Sequence, residues 1–143
     1  LTKLFNEFGS QAIVFSPALR ISKDFEPELY INAGREIANL DNKNTYEFIN
    51  NLIDNGLIEI SIRLIDFDGV NKKLDIKTIE CIEKFASLNI DVIISGSMHL
   101  KENYQKILNL GCCGIALSSM YIYDYPNIIN LRKNISEDYE VRI

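Results

Sequence analysis

Short apolar runs recur along the chain and alternate with segments of helical periodicity. They are AIVFS (12–16), IEISIRLID (58–66), DVIIS (91–95) and GIALS (114–118). Runs this short read as strands, and such strands alternating with helices form a parallel sheet covered on both faces. NTYEFINNLIDNG (44–56) reads as a helix with Asn44 as N-cap, Tyr46, Ile49 and Ile53 on one face and Gly56 as its stop. DIKTIECIEKFASLN (75–89) is a second helix, with apolar residues at 76, 79, 82 and 85. KENYQKILNLG (101–111) and YPNIINLRKN (125–134) are two more. LTKLFNEFGSQ opens the chain as a helix ending at Gly9, ELYINAG (28–34) is an alternating strand or arm, and YEVRI is an extended tail. The expected fold class is α/β, as one domain over residues 1–143. The pattern suits a small open sheet or a (βα)4 half of a TIM-type (βα)8 barrel.

A chain of 143 residues, 47% of them hydrophobic, suffices for one core. The net charge of −5 argues against a broad nucleic-acid footprint. No apolar run is long enough to span a bilayer, so no membrane role is expected. The first residues are mixed and polar, unlike a secretory signal. Cys81, Cys112 and Cys113 form neither a disulfide framework nor a zinc spacing and are expected as small buried or half-buried residues. A reducing, cytoplasmic setting is therefore expected, with no metal or cofactor.

In parallel α/β folds the chemistry lies beyond the C-terminal ends of the strands. Those ends read SPALR (16–20), DFDG (66–69), SGS (95–97) and SS (118–119). Small residues before a helix let backbone N–H groups approach an anion at the positive end of the helix dipole. Consecutive SGS and SS turns thus suggest a shared phosphate site, although each could be an ordinary turn. Asp68 points to the same mouth and could serve as general acid or base. Equally, Asp66 or Asp68 could bond backbone N–H groups of the turn before Gly69.

In order and spacing, FGSQAIVFS, IEISIRLIDFDG, IISGS and GCCGIALSSM resemble the C-terminal half of the cyclase subunit of imidazole glycerol phosphate synthase, a histidine-biosynthetic (βα)8 barrel. The resemblance runs from about Leu4 to about Asn134 and makes the four runs strands 5–8 of a full barrel. It implies a glutaminase partner at the bottom face, whose ammonia crosses the barrel to a phosphoribosyl bis-phosphate substrate. The products would be imidazole glycerol phosphate and an aminoimidazole carboxamide ribotide. It assigns Asp68 as the auxiliary carboxylate of catalysis on strand 6, Gly69, Gly96, Ser97, Ser118 and Ser119 as the phosphate site, and Glu59 as the ammonia-gate glutamate.

The sequence also departs from that family. Ala18 stands where the family carries a catalytic aspartate, and Pro17 alters the same strand end. Arg63 replaces a small hydroxyl residue at an inward position; if buried, it requires a partner. Ser97 replaces a glycine, and MHLK (98–101), with His99, replaces a small Gly-containing loop. The family's first half is absent, since a whole barrel runs to roughly 250 residues. The start at Leu1, inside a helical pattern, is expected of a piece of a longer protein, although two copies could also close a barrel. The expected function is therefore that of the cyclase. The alternatives are a divergent paralogue that passes ammonia to sugar amidation in surface-polysaccharide synthesis, and a phosphate-binding scaffold.

Overall fold

A computed structural model describes residues 2–70, 72–96, 100–118 and 125–139. Its elements are α1 (Thr2–Phe8), β1 (Ala18–Ile21), β2 (Pro27–Ile31), β3 (Glu36–Ile37), α2 (Thr45–Asp54), β4 (Glu59–Leu64), α3 (Ile76–Ala86), β5 (Asp91–Ser95), α4 (Lys101–Asn109), β6 (Gly114–Ala116) and α5 (Tyr125–Asp138). The described strands form one sheet in the order β3-β2-β1-β4-β5-β6. β1, β4, β5 and β6 are parallel, and β2 and β3 add an antiparallel arm at the β1 edge. The chain is thus α/β with a mostly parallel sheet.

The segment read as strand 12–16 is displaced. Residues 10–12 form a 3-10 turn, and the regular strand begins at Ala18. The register is nevertheless continuous, with Phe15 opposite Ile60, Ala18 opposite Arg63 and Leu19 opposite Leu64. Phe15 N–H donates to Glu59 O (3.2 Å), Ser61 N–H to Phe15 O (2.9 Å) and Arg63 N–H to Pro17 O (2.9 Å). The ladder breaks at Pro17 because proline has no N–H to give. The Ser16 hydroxyl donates instead to Ser61 O, at 3.1 Å. A side chain thus serves the carbonyl that the Pro17 nitrogen cannot.

The helices follow their caps. Asn44 Oδ1 accepts from Glu47 N–H (2.9 Å), and Glu47 Oε2 accepts from Asn44 N–H (3.0 Å), a complete capping box. Replacing Asn44 with alanine is expected to cost about 1 kcal/mol, read as a lower urea midpoint at unchanged slope. Asp75 caps α3 by accepting from Thr78 N–H (2.9 Å). The buried face of α3 is Thr78, Cys81, Ile82 and Phe85, and Ile76 is 69% exposed. The expected stripe starting at residue 76 is therefore rotated. Spacings of three, four and seven from Thr78 hold one face, with a threonine and a cysteine completing it. The last helix runs on to Asp138, past the expected 134; all of the YEVRI tail except Tyr139 lies outside the described residues.

The steps β4-α3-β5 and β5-α4-β6 advance in one direction across the sheet. Right-handed crossovers then put both helices on one face. Burial agrees, since Ile60, Ile62 and Leu64 of β4 and Val92 and Ile94 of β5 pack with Ile49, Ile82, Phe85 and Ile107 of the helices. The expectation of a sheet covered on both faces is corrected here. Glu59, Ser61 and Arg63, the alternate residues of β4, are half-buried or exposed. Strand alternation aims them at the opposite, open face. Arg63 is exposed there and, among the described residues, requires no counter-charge.

Candidate functional site

β4 ends in a 3-10 turn, Ile65–Phe67, which turns Phe67 into the core and Asp66 outward. Asp66 Oδ1 accepts from Arg20 Nε at 2.8 Å, and the Arg20 guanidinium lies 5.0 Å from the centre of the Tyr30 ring. Asp66 therefore ties the end of β4 to the β1–β2 arm. Both partners are about two-fifths exposed, so solvent screens the pair and it contributes little to stability.

Asp68 closes the turn through its backbone N–H, which donates to Ile65 O (3.2 Å). Its carboxylate is exposed and carries no hydrogen bond or ion pair among the described residues. The alternative in which the Asp68 side chain serves the turn thus has no support among those residues. Gly69 follows at φ 71°, and a Cβ there would meet nothing within 4 Å. Its backbone accordingly faces open space beside Asp68.

Gly96 sits at the end of β5 with φ 111°. A Cβ there would lie 3.0 Å from Leu64 O, 3.3 Å from Leu64 Cβ and 3.4 Å from Phe67 Cβ. The missing side chain is what lets this turn press against the end of β4. Ser95 Oγ donates to Ile62 O at 3.3 Å, joining the same two strands. Ser118 lies two residues beyond β6 and is exposed. Asp68, Gly69, Gly96 and Ser118 all lie beyond C-terminal strand ends, with Gly96 in close approach to the β4 turn. Ser97, Ser119 and His99 lie outside the described residues.

At the opposite end, Glu59 begins β4 and faces Asp91 across the register. Burial first, then the charges of Asp91 and Glu59, push the thiol of Cys113 up. Two carboxylates therefore crowd one end of the open face. Cys113 is exposed, contrary to the expectation of burial, whereas Cys81 and Cys112 are buried. Burial raises both of these thiols to about 11, so they hold little thiolate at neutral pH.

Ala18 and Arg63 are direct partners across β1 and β4. The position lacking an acid and the position carrying an unexpected cation are thus neighbours. Ser95 pairs with Arg63 on the far side, and Ala116 with Ser95 beyond it. Arg63 thus stands between two small residues, Ala18 and Ser95, with Tyr30 next beyond Ala18.

Asn103 escaped the sequence reading. It is buried on α4, accepts from Leu74 N–H (3.0 Å) and donates to Lys72 O (2.9 Å). It therefore staples the loop after β4 to the helix after β5. Its signal in the sequence is the spacing to Ile107 and Leu110, which puts an amide on the apolar stripe. Asn103→Leu is expected to cost about 1–3 kcal/mol, because Leu74 N–H loses its partner in a buried place. Urea unfolding measures this.

No helix among the described residues is long and apolar enough to cross a membrane. No family model matches the chain. Similarity to individual proteins is consistent. The imidazole glycerol phosphate synthase subunit HisF of Hydrogenobaculum sp. (strain Y04AAS1) is 36% identical over 104 residues, 73% of this chain and 39% of that subunit. HisF of Alkaliphilus metalliredigens (strain QYMF) is 26% identical over 138 residues, covering 96% of this chain and 53% of the relative. A putative subunit hisF2 of Prochlorococcus marinus (strain MIT 9313) is 25% identical over 130 residues, 91% of this chain and 48% of its own length. Taken with the mostly parallel sheet, these matches show that the chain resembles the imidazole glycerol phosphate synthase subunit HisF and spans about half the length of the curated relatives it matches.

Proposed function

We propose that the chain is the C-terminal half of a cyclase-type (βα)8 barrel. In that reading it acts on a phosphorylated small molecule with ammonia supplied by a glutaminase partner subunit. The observation that carries this is the exposed carboxylate of Asp68, without a bond among the described residues, beside Gly69, where a Cβ would meet open space, at the C-terminal end of a parallel strand. The open sheet face would become the barrel interior once the other half is in place. Glu59 would stand at the ammonia entrance of that interior, on the face where the partner docks. Gly69, Gly96, Ser97, Ser118 and Ser119 would hold a substrate phosphate through backbone and hydroxyl donors. Asp68 would move the proton.

One observation favours a second reading. Ala18 lies directly beside Arg63, so this register position carries a cation and, at 18, no acid. A divergent barrel that has lost cyclase chemistry, either passing ammonia onward or binding phosphate as a scaffold, follows from that pair. The deciding experiment is ammonia-dependent turnover of the bis-phosphate substrate by the full-length protein, with Ala18→Asp in parallel. Turnover by the native protein supports the cyclase. Activity gained only in the variant supports a site that has lost its chemistry. Inactivity of both counts against cyclase function.

A further inference from the structure

The Arg63 guanidinium is exposed and carries no hydrogen bond or ion pair among the described residues. Its register neighbours cannot supply one. Ala18 and Ser95 flank it, with Tyr30 beyond Ala18 and Ala116 beyond Ser95. The Ala18 side chain has no polar atom, and the Ser95 hydroxyl is turned onto Ile62 O at 3.3 Å. Charged groups on the β1–β2 arm are committed to one another. Asp66 accepts from Arg20 Nε, the Arg20 guanidinium lies over the Tyr30 ring, and the Tyr30 hydroxyl donates to Glu28 Oε2 at 3.2 Å. Glu59 shares the open face with Arg63 but stands four residues down β4, about 13 Å away along an extended strand.

Water satisfies an exposed guanidinium. A covered one needs an anion, because burying it unpaired is strongly unfavourable. Once the open face becomes the interior of a barrel, Arg63 must therefore meet a negative group there. The strand geometry says where. Ser95, its register partner, is about 4.8 Å away across the sheet. Gly96 follows Ser95, about 3.8 Å further along the chain. Arg63 is also the penultimate residue of β4, whose end the Gly96 turn presses against. The long arginine side chain can bridge the short distance from the strand face to that turn.

We propose that Arg63 supplies the cation of a phosphate site at the Gly96 turn. A terminal phosphate presents three acceptor oxygens. The planar guanidinium fork takes two of them from the interior side, and backbone N–H groups of the turn take the third. This role rests on the barrel reading of the open face and on the strand-end turns as the phosphate site.

The test is NMR titration of the full-length protein with inorganic phosphate, following the Gly96 amide, in the native form and in Arg63→Gln. Half-saturation near about 1 mM is expected for the native protein, and about tenfold higher for the variant, which loses a charge-assisted contact. Without phosphate the two urea midpoints should agree, since the side chain has no bond to lose among the described residues. A second measurement needs no variant. Phosphate should shield Arg63 of the native protein from phenylglyoxal, read by mass on the peptide that carries it. Equal phosphate affinity in both forms, or Arg63 modified as fast with saturating phosphate as without it, would overturn the role of Arg63 and leave the phosphate site of the turns standing. Absence of any Gly96 shift in the native protein up to about 10 mM phosphate would overturn both. A lowered urea midpoint with unchanged phosphate affinity would assign Arg63 to an ion pair within the full-length protein and reject the proposal. Turnover enters none of these outcomes, so a barrel without cyclase chemistry is tested equally well.

Discussion

Asp68→Asn is expected to lower ammonia-dependent turnover of the complete protein about 10²–10⁴-fold, the usual contribution of a general acid or base. The substitution keeps shape and removes only the ability to ionise. The carboxylate is exposed and carries no bond among the described residues, so unfolding should change by no more than about 0.5 kcal/mol. That split separates a proton-transfer role from a structural one, because a turn-stabilising aspartate would lower stability as well. The neighbouring Asp66→Asn is the matched control. It weakens the Arg20 pair, shifting stability slightly, and should leave the chemical step near its native rate. Unchanged turnover in the Asp68 variant of an active protein would remove this residue from the chemistry.

Gly96→Ala is expected to destabilise the fold by about 2–5 kcal/mol. Two costs add. A backbone at φ 111° is one that side chains rarely tolerate, and such strain costs about 1–3 kcal/mol. The new Cβ would also lie 3.0 Å from the carbonyl oxygen of Leu64, which is backbone at the end of β4. Forcing β5 away from β4 adds an overpacking penalty of similar size. Gly69→Ala isolates the first cost. That residue is also left-handed, at φ 71°, but a Cβ there meets open space. Its loss should be near 1–2 kcal/mol. Equal losses at the two positions, measured by urea unfolding, would show that the approach to Leu64 is not what demands the glycine at 96.

The helices were legible because their signals are local. Asn44 and Glu47 lie within one turn of each other, and that turn contains the whole capping box. The same holds for Asp75 and Thr78. β5 matches its apolar run to the residue. β1 was misplaced because a single missing N–H at Pro17 interrupts the ladder, and the repair by Ser16 depends on a strand 45 residues away. The apolar look of β4 hid its alternation. Ile58 and Ile65 flank the strand and fill out the apolar run, while the polar residues Glu59, Ser61 and Arg63 define the second face. Asp68, Gly69, Gly96 and Ser118 were legible as positions beyond strand ends, since parallel topology puts those ends on one edge of the sheet. The Arg20–Asp66 pair was not, because it is assembled from side chains 46 residues apart. Long-range pairing of that kind leaves no periodic trace.

The Asn103 staple also governs how this part of the molecule opens. The Leu74 amide donates to a side chain carried by the next βα unit, and not to its own loop. Its exchange with solvent deuterium therefore reports the opening of α4 from the loop, an event the loop cannot undergo alone. In the native protein the Leu74 amide should exchange with the free energy of the α4 unit, slower than an ordinary loop amide. In Asn103→Leu it should exchange as freely as its exposed neighbours. Motion at the mouth of β4 and motion after β5 are then one event, and the turns at Gly69 and Gly96 keep their relative position for as long as that amide stays protected.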